Sequence, residues 1–453
     1  MSIRRRSFVQ GLLGSSLIGM GAESACSAPK SGGVPPPPPP SPINHIVVVT
    51  MENRSFDHFL GWLPGADGWQ TKDPGVTYTD SSGHTYPPQN LGTDFTGCGH
   101  PVPNNSYGTP NLTAYDDGKM DGFLRVPGND IYSIGYYTAS DLPFLSAFAQ
   151  AYTTCDHWFA PILAETFPNR MFLWAAQTDR LSNTYSLSSL PTIFDRLSSA
   201  GVSHRYYFNN VPFLALWGFK YLTSTSGFSD FLEAAASGKL PSVSFVDPRF
   251  TEIIDGLGND DHPHSDIRNG EAFLSQVFHA VATGPNWANT VLIVTFDEWG
   301  GFFDHVAPPL AVPANNVDTH LVDGKVLLGF RLPTIIASPF TRGANRVDST
   351  VYDHTSILKL IEWRWNLSPL TARDAAMNNP ATNFNFSSPD ATVPTLPEPG
   401  TVPALPCFLQ GLATPHTEAP TSVETAPKSE FGGFKETQSV QQWLQHPNFR
   451  NLR

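Results

Sequence analysis

The chain has 453 residues, 40 % hydrophobic and 12 % aromatic, which is enough apolar area for a large core and too much for a disordered chain. Its formal net charge is −13, and the first 30 residues hold four basic side chains (Arg4, Arg5, Arg6, Lys30) against one acidic (Glu23), so the remainder is more acidic still. That balance excludes nucleic acid as the main partner, because phosphate backbones are bound through clustered Lys and Arg. A phosphate-bearing substrate stays open if a cation stands between it and the protein.

At the amino terminus three arginines precede Ser7 and Phe8, an apolar stretch follows from Gly11 to Gly21, and small residues come next at Ser24, Ala25, Ser27 and Ala28. Residues 1–30 therefore read as an export signal, and Arg5-Arg6-Ser7-Phe8 fits the twin-arginine pattern that exports folded proteins. The apolar run is too short to cross a bilayer, so the mature chain is expected in the periplasm or outside the cell with no transmembrane span. Glu23-Ser24-Ala25-Cys26 resembles a lipoprotein box with Glu23 where an aliphatic residue is usual, which leaves a lipid anchor at Cys26 as an alternative. Residues 31–42, with six prolines from Pro35 to Pro40, form a stiff linker.

The body, 43–386, alternates two patterns. Short β-branched runs predict strands at 46–50, 205–208, 243–246, 291–296 and 334–337. Apolar residues at three- and four-residue spacing predict helices at 142–151, 169–176, 270–282 and 356–365. Such alternation implies a mostly parallel sheet covered on both faces. From 387 to 453 the chain is rich in Pro, Thr and Ser and reads as an extended wrap or tail, with a short amphipathic segment near 440–444. Cys98, Cys155 and Cys407 allow one disulfide and one free thiol, the pairing open, and the absence of a CxxC pattern argues against a thiolate zinc site.

The strand endings carry the chemistry. The first strand runs into Glu52 and Asn53, the one at 243–246 into Asp247, and the one at 291–296 into Asp297 and Glu298. Ligands of open α/β sheets bind beyond the carboxyl ends of strands, so these acids converge at one edge, where they repel one another unless a divalent cation neutralises them. Thr166 precedes a helical run that has Pro168 in its first turn; the hydroxyl is either a helix cap or a nucleophile beside the metal. Arg170 reads equally as a phosphoryl-oxygen ligand or a salt-bridge partner. Among 14 histidines, His262, His305 and His354 adjoin strand ends or helix starts, where acid/base work or phosphate binding competes with structural roles. Phe167, Trp299, Phe302 and Phe303 flank the same motifs, as core or as an apolar rim.

The segments 44–61 (NHIVVVTMENRSFDHFLG), 166–170 (TFPNR), 295–309 (TFDEWGGFFDHVAPP) and 353–362 (DHTSILKLIE), supported by 118–123 and 262–273, resemble a bacterial phosphoesterase family. That family contains the non-haemolytic-type phospholipases C and AcpA-type acid phosphatases, and it belongs to the alkaline-phosphatase-like superfamily. The resemblance spans about 43–370 and implies a three-layer α/β/α sandwich. It implies Glu52, Asn53, Asp297, Glu298 and Thr166 as ligands of one divalent metal, Thr166 as the nucleophile, and His262, His305 and His354 around the phosphate. His100 lies where the family has another histidine, though its spacing departs from the usual Asp-Pro-x-His. His264 replaces a common Pro and is given no role.

The combined reading is an exported, metal-dependent phosphoric ester hydrolase of the phospholipase C type acting through a phospho-threonine, with phospholipid or a small phosphate ester as substrate. An acid phosphatase is the alternative within the class, and an inactive phospho-ligand-binding relative the alternative outside it. The oxygen-rich ligand set suits Ca²⁺, Mg²⁺ or Mn²⁺ and admits Zn²⁺. A sulfatase is disfavoured because Thr stands where a formylglycine needs Cys or Ser.

Overall fold

A computed structural model describes residues 41–251 and 257–407 together with positions 409, 441, 442 and 445. The export signal, Cys26, nearly all of the Pro-rich linker and most of the 440–444 segment lie outside the described residues. Among the described residues no helix is long and apolar enough to cross a membrane.

The frame is an eight-stranded sheet. In chain order its strands are β1 (His45–Met51), β2 (Thr153–Cys155), β3 (His204–Phe208), β4 (Thr225–Gly227), β5 (Val243–Val246), β6 (Thr290–Phe296), β7 (Thr334–Ala337) and β8 (Arg346–Asp348). Their order across the sheet is β8-β2-β7-β6-β1-β5-β3-β4, with β7 antiparallel to both neighbours and every other pairing parallel. The central strands β1 (HIVVVTM) and β6 (TVLIVTF) are buried along almost their whole length, as parallel strands covered on both faces must be.

The helices used below are α1 (Phe56–Leu60), α2 (Pro143–Ala151), α3 (Thr166–Ala175), α4 (Ile193–Ser199), α5 (Phe228–Ala236), α6 (Ile267–Ala282) and α7 (His354–Trp365). They pack in two groups, α3 with α4 and α7, and α6 with α2 and α5. These groups form the outer layers of an α/β/α sandwich. All ten residues of α3 are buried, and so are twelve of the sixteen in α6.

The predicted strands 243–246 and 334–337 match β5 and β7, and the other three gain one residue at one or both ends. Helices α3, α6 and α7 begin two or three residues earlier than their apolar periodicity suggests, because the opening residues Thr166-Phe167-Pro168, Ile267-Arg268-Asn269 and His354-Thr355 do not carry the three- and four-residue apolar repeat. The start of α3 matters most: Glu165 is its N-cap and Thr166 its first residue. Phe167, Trp299, Phe302 and Phe303 are fully buried, so the core reading of these rings holds and the rim reading does not.

The part of the carboxy-terminal segment that is described lies along the body. Val402 N–H donates to Asn269 Oδ1 (2.9 Å), Trp287 Nε1 donates to the Ala391 carbonyl (3.1 Å), and a disulfide joins Cys407 to Cys98, 309 residues apart. Among the described residues Cys155 is the free thiol, and it is buried.

Candidate active site

Register brings the strand-ending acids together. Met51 of β1 faces Phe296 of β6, and Asp297 N–H donates to the Met51 carbonyl (2.9 Å), so Glu52-Asn53 and Asp297-Glu298 leave the sheet side by side. Val246 of β5 pairs with Val49, which puts Asp247 at the same edge. Asn53 has φ 55°, a left-handed conformation that Asn tolerates, and its N–H donates to Asp297 Oδ1 (3.1 Å). Gly300 closes the far side: at φ +66°, a Cβ there would lie 2.2 Å from the Asn53 carbonyl oxygen.

Thr166 enters this edge from the first turn of α3. Its hydroxyl lies 3.4 Å from both Glu52 Oε2 and Asn53 Oδ1. One turn on, Arg170 is fully buried; Nε donates to Glu52 Oε1 (2.8 Å) and Asp297 Oδ2 (3.3 Å), Nη1 to Asp247 Oδ1 (3.0 Å), and Nη2 to the Thr50 carbonyl (3.1 Å). With its donors committed to Glu52, Asp297, Asp247 and backbone carbonyls, Arg170 is an internal counter-cation, which decides between its two readings from sequence. Burial pushes the Asp297 and Asp247 carboxyls up, and Arg170 pulls both back down.

The residues fit a divalent cation. Glu52, Asn53, Thr166 and Asp297 offer oxygen donors only, and the three carboxylates of Glu52, Asp247 and Asp297 face a single guanidinium. Glu298 is equally buried, but its carboxylate is held by Asn105 Nδ2 (2.7 Å) and the Gly300 N–H (2.7 Å).

One predicted histidine bonds this cluster directly and a second lies on a loop that does. His354, first residue of α7, donates Nε2–H to the Asp297 carbonyl (2.7 Å). Its ring is buried, and burial lowers its pKa to about 4, so it is neutral at pH 7 with Nδ1 as the lone-pair side. His262 sits on the loop whose Asp260 carbonyl accepts the Glu52 N–H (2.8 Å). His100 and His264 belong to an adjoining loop contact: His264 Nε2 meets the His100 carbonyl (2.9 Å), while His100 Nδ1 bonds Asp130 (2.7 Å).

His305 belongs to a second, neighbouring cluster. Its Nδ1 donates to Asp57 Oδ2 (2.5 Å) and its Nε2 is 3.5 Å from Asp67 Oδ1, while Arg331 bonds Asp57 (3.3 Å) and Asp304 (2.8 Å). Asp57, Asp304 and His305 place ligand atoms within 4.8 Å of one another, a second geometry able to hold a metal, although Arg331 already supplies a positive charge there. Sequence reasoning missed Asp57, Asp67, Asn105 and Arg331 as site residues. Asp57 lies inside a recognised motif without ending a strand, and the other three lie outside every motif.

Burial alone would push His305 down, but its bonds to Asp57 and Asp67 outweigh this and raise it to about 10. A raised histidine stabilises the fold fully below its unfolded value of about 6.5, and the contribution is lost as pH rises through about 10. The urea midpoint of the wild type is therefore expected to fall more steeply from pH 7 to 10.5 than that of His305→Gln. Parallel pH profiles would show that the charged form contributes nothing.

The family model described as the phosphoesterase family matches residues 43–368. A non-specific phospholipase C6 of Arabidopsis thaliana is 32 % identical over 373 residues, covering 74 % of this chain and 71 % of its own length. A phospholipase C B of Mycobacterium tuberculosis is 30 % identical over 455 residues, covering 83 % and 84 %. A solved structure of a protein in the alkaline phosphatase superfamily from Vibrio parahaemolyticus aligns with TM-score 0.36 and 11 % identity, over 74 % of this chain and 70 % of that one.

Proposed function

The chain belongs to the phosphoesterase family and is a phosphoric ester hydrolase, and from that premise we propose that it is an exported, metal-dependent phospholipase C that works through a covalent phospho-threonine. The observation that carries this reading is the Thr166 hydroxyl, buried at the start of a ten-residue helix and within 3.4 Å of Glu52 and Asn53. A bound divalent ion would be held by Glu52, Asn53, Thr166 and Asp297, with Glu298 beside them, and would lower the pKa of the hydroxyl and neutralise the phosphate.

Thr166 Oγ1 attacks phosphorus in line. Its proton passes to Glu52 Oε2, which already accepts it; the new O–P bond forms as the P–O bond to the alcohol breaks. The amino terminus of α3 favours the anion at this position. His305, kept positive by Asp57 and Asp67, is the histidine that holds a proton for the departing alcohol. His354, neutral, anchors Asp297 through Nε2 and can accept a proton at Nδ1. His262, on the Asp260 loop, would be a phosphate ligand. Water then hydrolyses the phospho-threonine.

A diester substrate is favoured over a monoester because a monoester brings an extra negative charge that needs added cationic groups. Arg170, the cation of this cluster, is committed to Glu52, Asp247 and Asp297. The test compares kcat/KM for phosphatidylcholine and for a phosphate monoester at acidic and neutral pH, the diester being preferred. A monoester preference of about 100-fold, about 2.7 kcal/mol in transition-state binding, would make the protein an acid phosphatase instead.

A further inference from the structure

The four rings that the sequence left as core or rim are core, yet the surface beside the site carries exposed apolar residues of its own. Of eleven large hydrophobic residues exposed among the described residues, seven lie in two segments that both lead to the site. The first segment carries Tyr185 (36 % exposed), Leu187 (62 %) and Phe219 (51 %). Tyr185 packs edge-on against Phe167, the residue after Thr166, at 5.7 Å, and Phe167 N–H donates to Asn183 (2.8 Å). Leu187 lies against Gly218, next to Phe219, and Ser188 N–H bonds the Leu216 carbonyl (2.7 Å), so the three side chains sit on one joined surface.

The second segment carries Leu310 (38 %), Leu321 (54 %) and Val322 (51 %) on a small antiparallel sheet of Leu310–Ala311, Lys325–Leu327 and Leu321–Val322, with Val312 (38 %) just past its first strand. Tyr107 ties this sheet to the site: its hydroxyl donates to Asp318 (2.8 Å) and its ring stacks on His320 (4.5 Å), while Asn105, two residues earlier, holds Glu298. The two segments meet where Tyr107, Leu181 and Ala314 pack on Ile162, Ala164 and Phe172. Single exposed apolar residues are ordinary, whereas a group concentrated around a reaction centre marks a contact surface.

We propose that this two-part apolar face docks the enzyme on the surface of a zwitterionic phospholipid bilayer and so presents the head group to Thr166. The inference rests on the phospholipase reading for its substrate. Charge selects the surface. Lys220 is paired with Asp195 (2.8 Å) and Arg180 with Asp179 (2.7 Å), and Asp323 and Lys325 offset one another at the hairpin tip, so the face is near neutral. The chain as a whole, at −13, is repelled by an anionic membrane.

Two double variants of the mature chain test it, Leu187→Ser with Phe219→Ser and Leu321→Ser with Val322→Ser. Binding is read by co-sedimentation with phosphatidylcholine vesicles, and catalysis on short-chain phosphatidylcholine dispersed below its micelle concentration. The wild type is expected to bind the vesicles and each variant to bind at least tenfold more weakly, with kcat/KM on the dispersed lipid unchanged. Wild-type protein that does not bind, variants that bind equally well, or variants that only turn a dimer into a monomer would overturn the docking face. A wild type that binds vesicles through this face but hydrolyses no dispersed lipid would uphold the docking and overturn the phospholipase reading.

Discussion

Thr166→Ala is expected to lower kcat by on the order of 10⁴ to 10⁶-fold while the protein stays folded, because the covalent step has no other oxygen with which to begin. The substitution is tolerable to the fold: Ala suits the first turn of a helix, and Glu165, not Thr166, is the N-cap of α3. The structural loss is then one methyl and one hydroxyl in a tight site, about 1 to 3 kcal/mol. Thr166→Ser keeps the oxygen and should keep measurable turnover. Acid quenching of wild type during turnover, followed by intact-mass measurement, should show a phosphoryl adduct that the Ala variant lacks. A folded Ala variant working at near wild-type rate would leave direct attack by water as the mechanism.

Asp297→Asn should remove metal and activity together. Asp297 sits at the junction of the cluster, accepting N–H bonds from Asn53 (3.1 Å) and Glu298 (2.7 Å) on Oδ1 while Oδ2 faces Arg170 (3.3 Å). Asn preserves shape and one acceptor oxygen, so the change is mainly one of charge. Losing one carboxylate beside an unchanged Arg170 leaves too little negative charge to hold a dication. Elemental analysis of the purified wild type should find about one divalent ion per chain and of the variant less than a tenth of that, with kcat/KM down by on the order of 10³-fold. Full occupancy in the variant, or full activity in metal-stripped wild type, would remove the assignment.

The frame was legible where chemistry and burial coincide in one short run. The apolar strands at 45–51 and 290–296 each end in an acidic pair or a Glu-Asn pair, and register places them edge to edge. Strands β2, β4 and β8 gave no signal because three residues are too few for a period to show. Partners distant in sequence were also invisible. Arg170 looked as suited to a phosphate as to an ion pair, and only the fold shows that it meets Glu52, 118 residues away. From its motif His305 read as one of the histidines around the phosphate, whereas Asp57, 248 residues away, and Asp67 set its charge. The rings at Phe167, Trp299, Phe302 and Phe303 illustrate the same limit, since local sequence says that a ring is apolar but not which way it turns.

The Cys98–Cys407 disulfide gives the body a covalent topology that its fold alone does not require. With the backbone between them, the two cysteines close a ring that contains Thr166, Arg170, His262, Asp297, Glu298, His305 and His354 and excludes Glu52 and Asn53. A protease that cuts one exposed loop within that ring opens it without detaching either piece. A nick that would otherwise separate Thr166 from His305 and His354 becomes a local break in a chain still held in one covalent molecule.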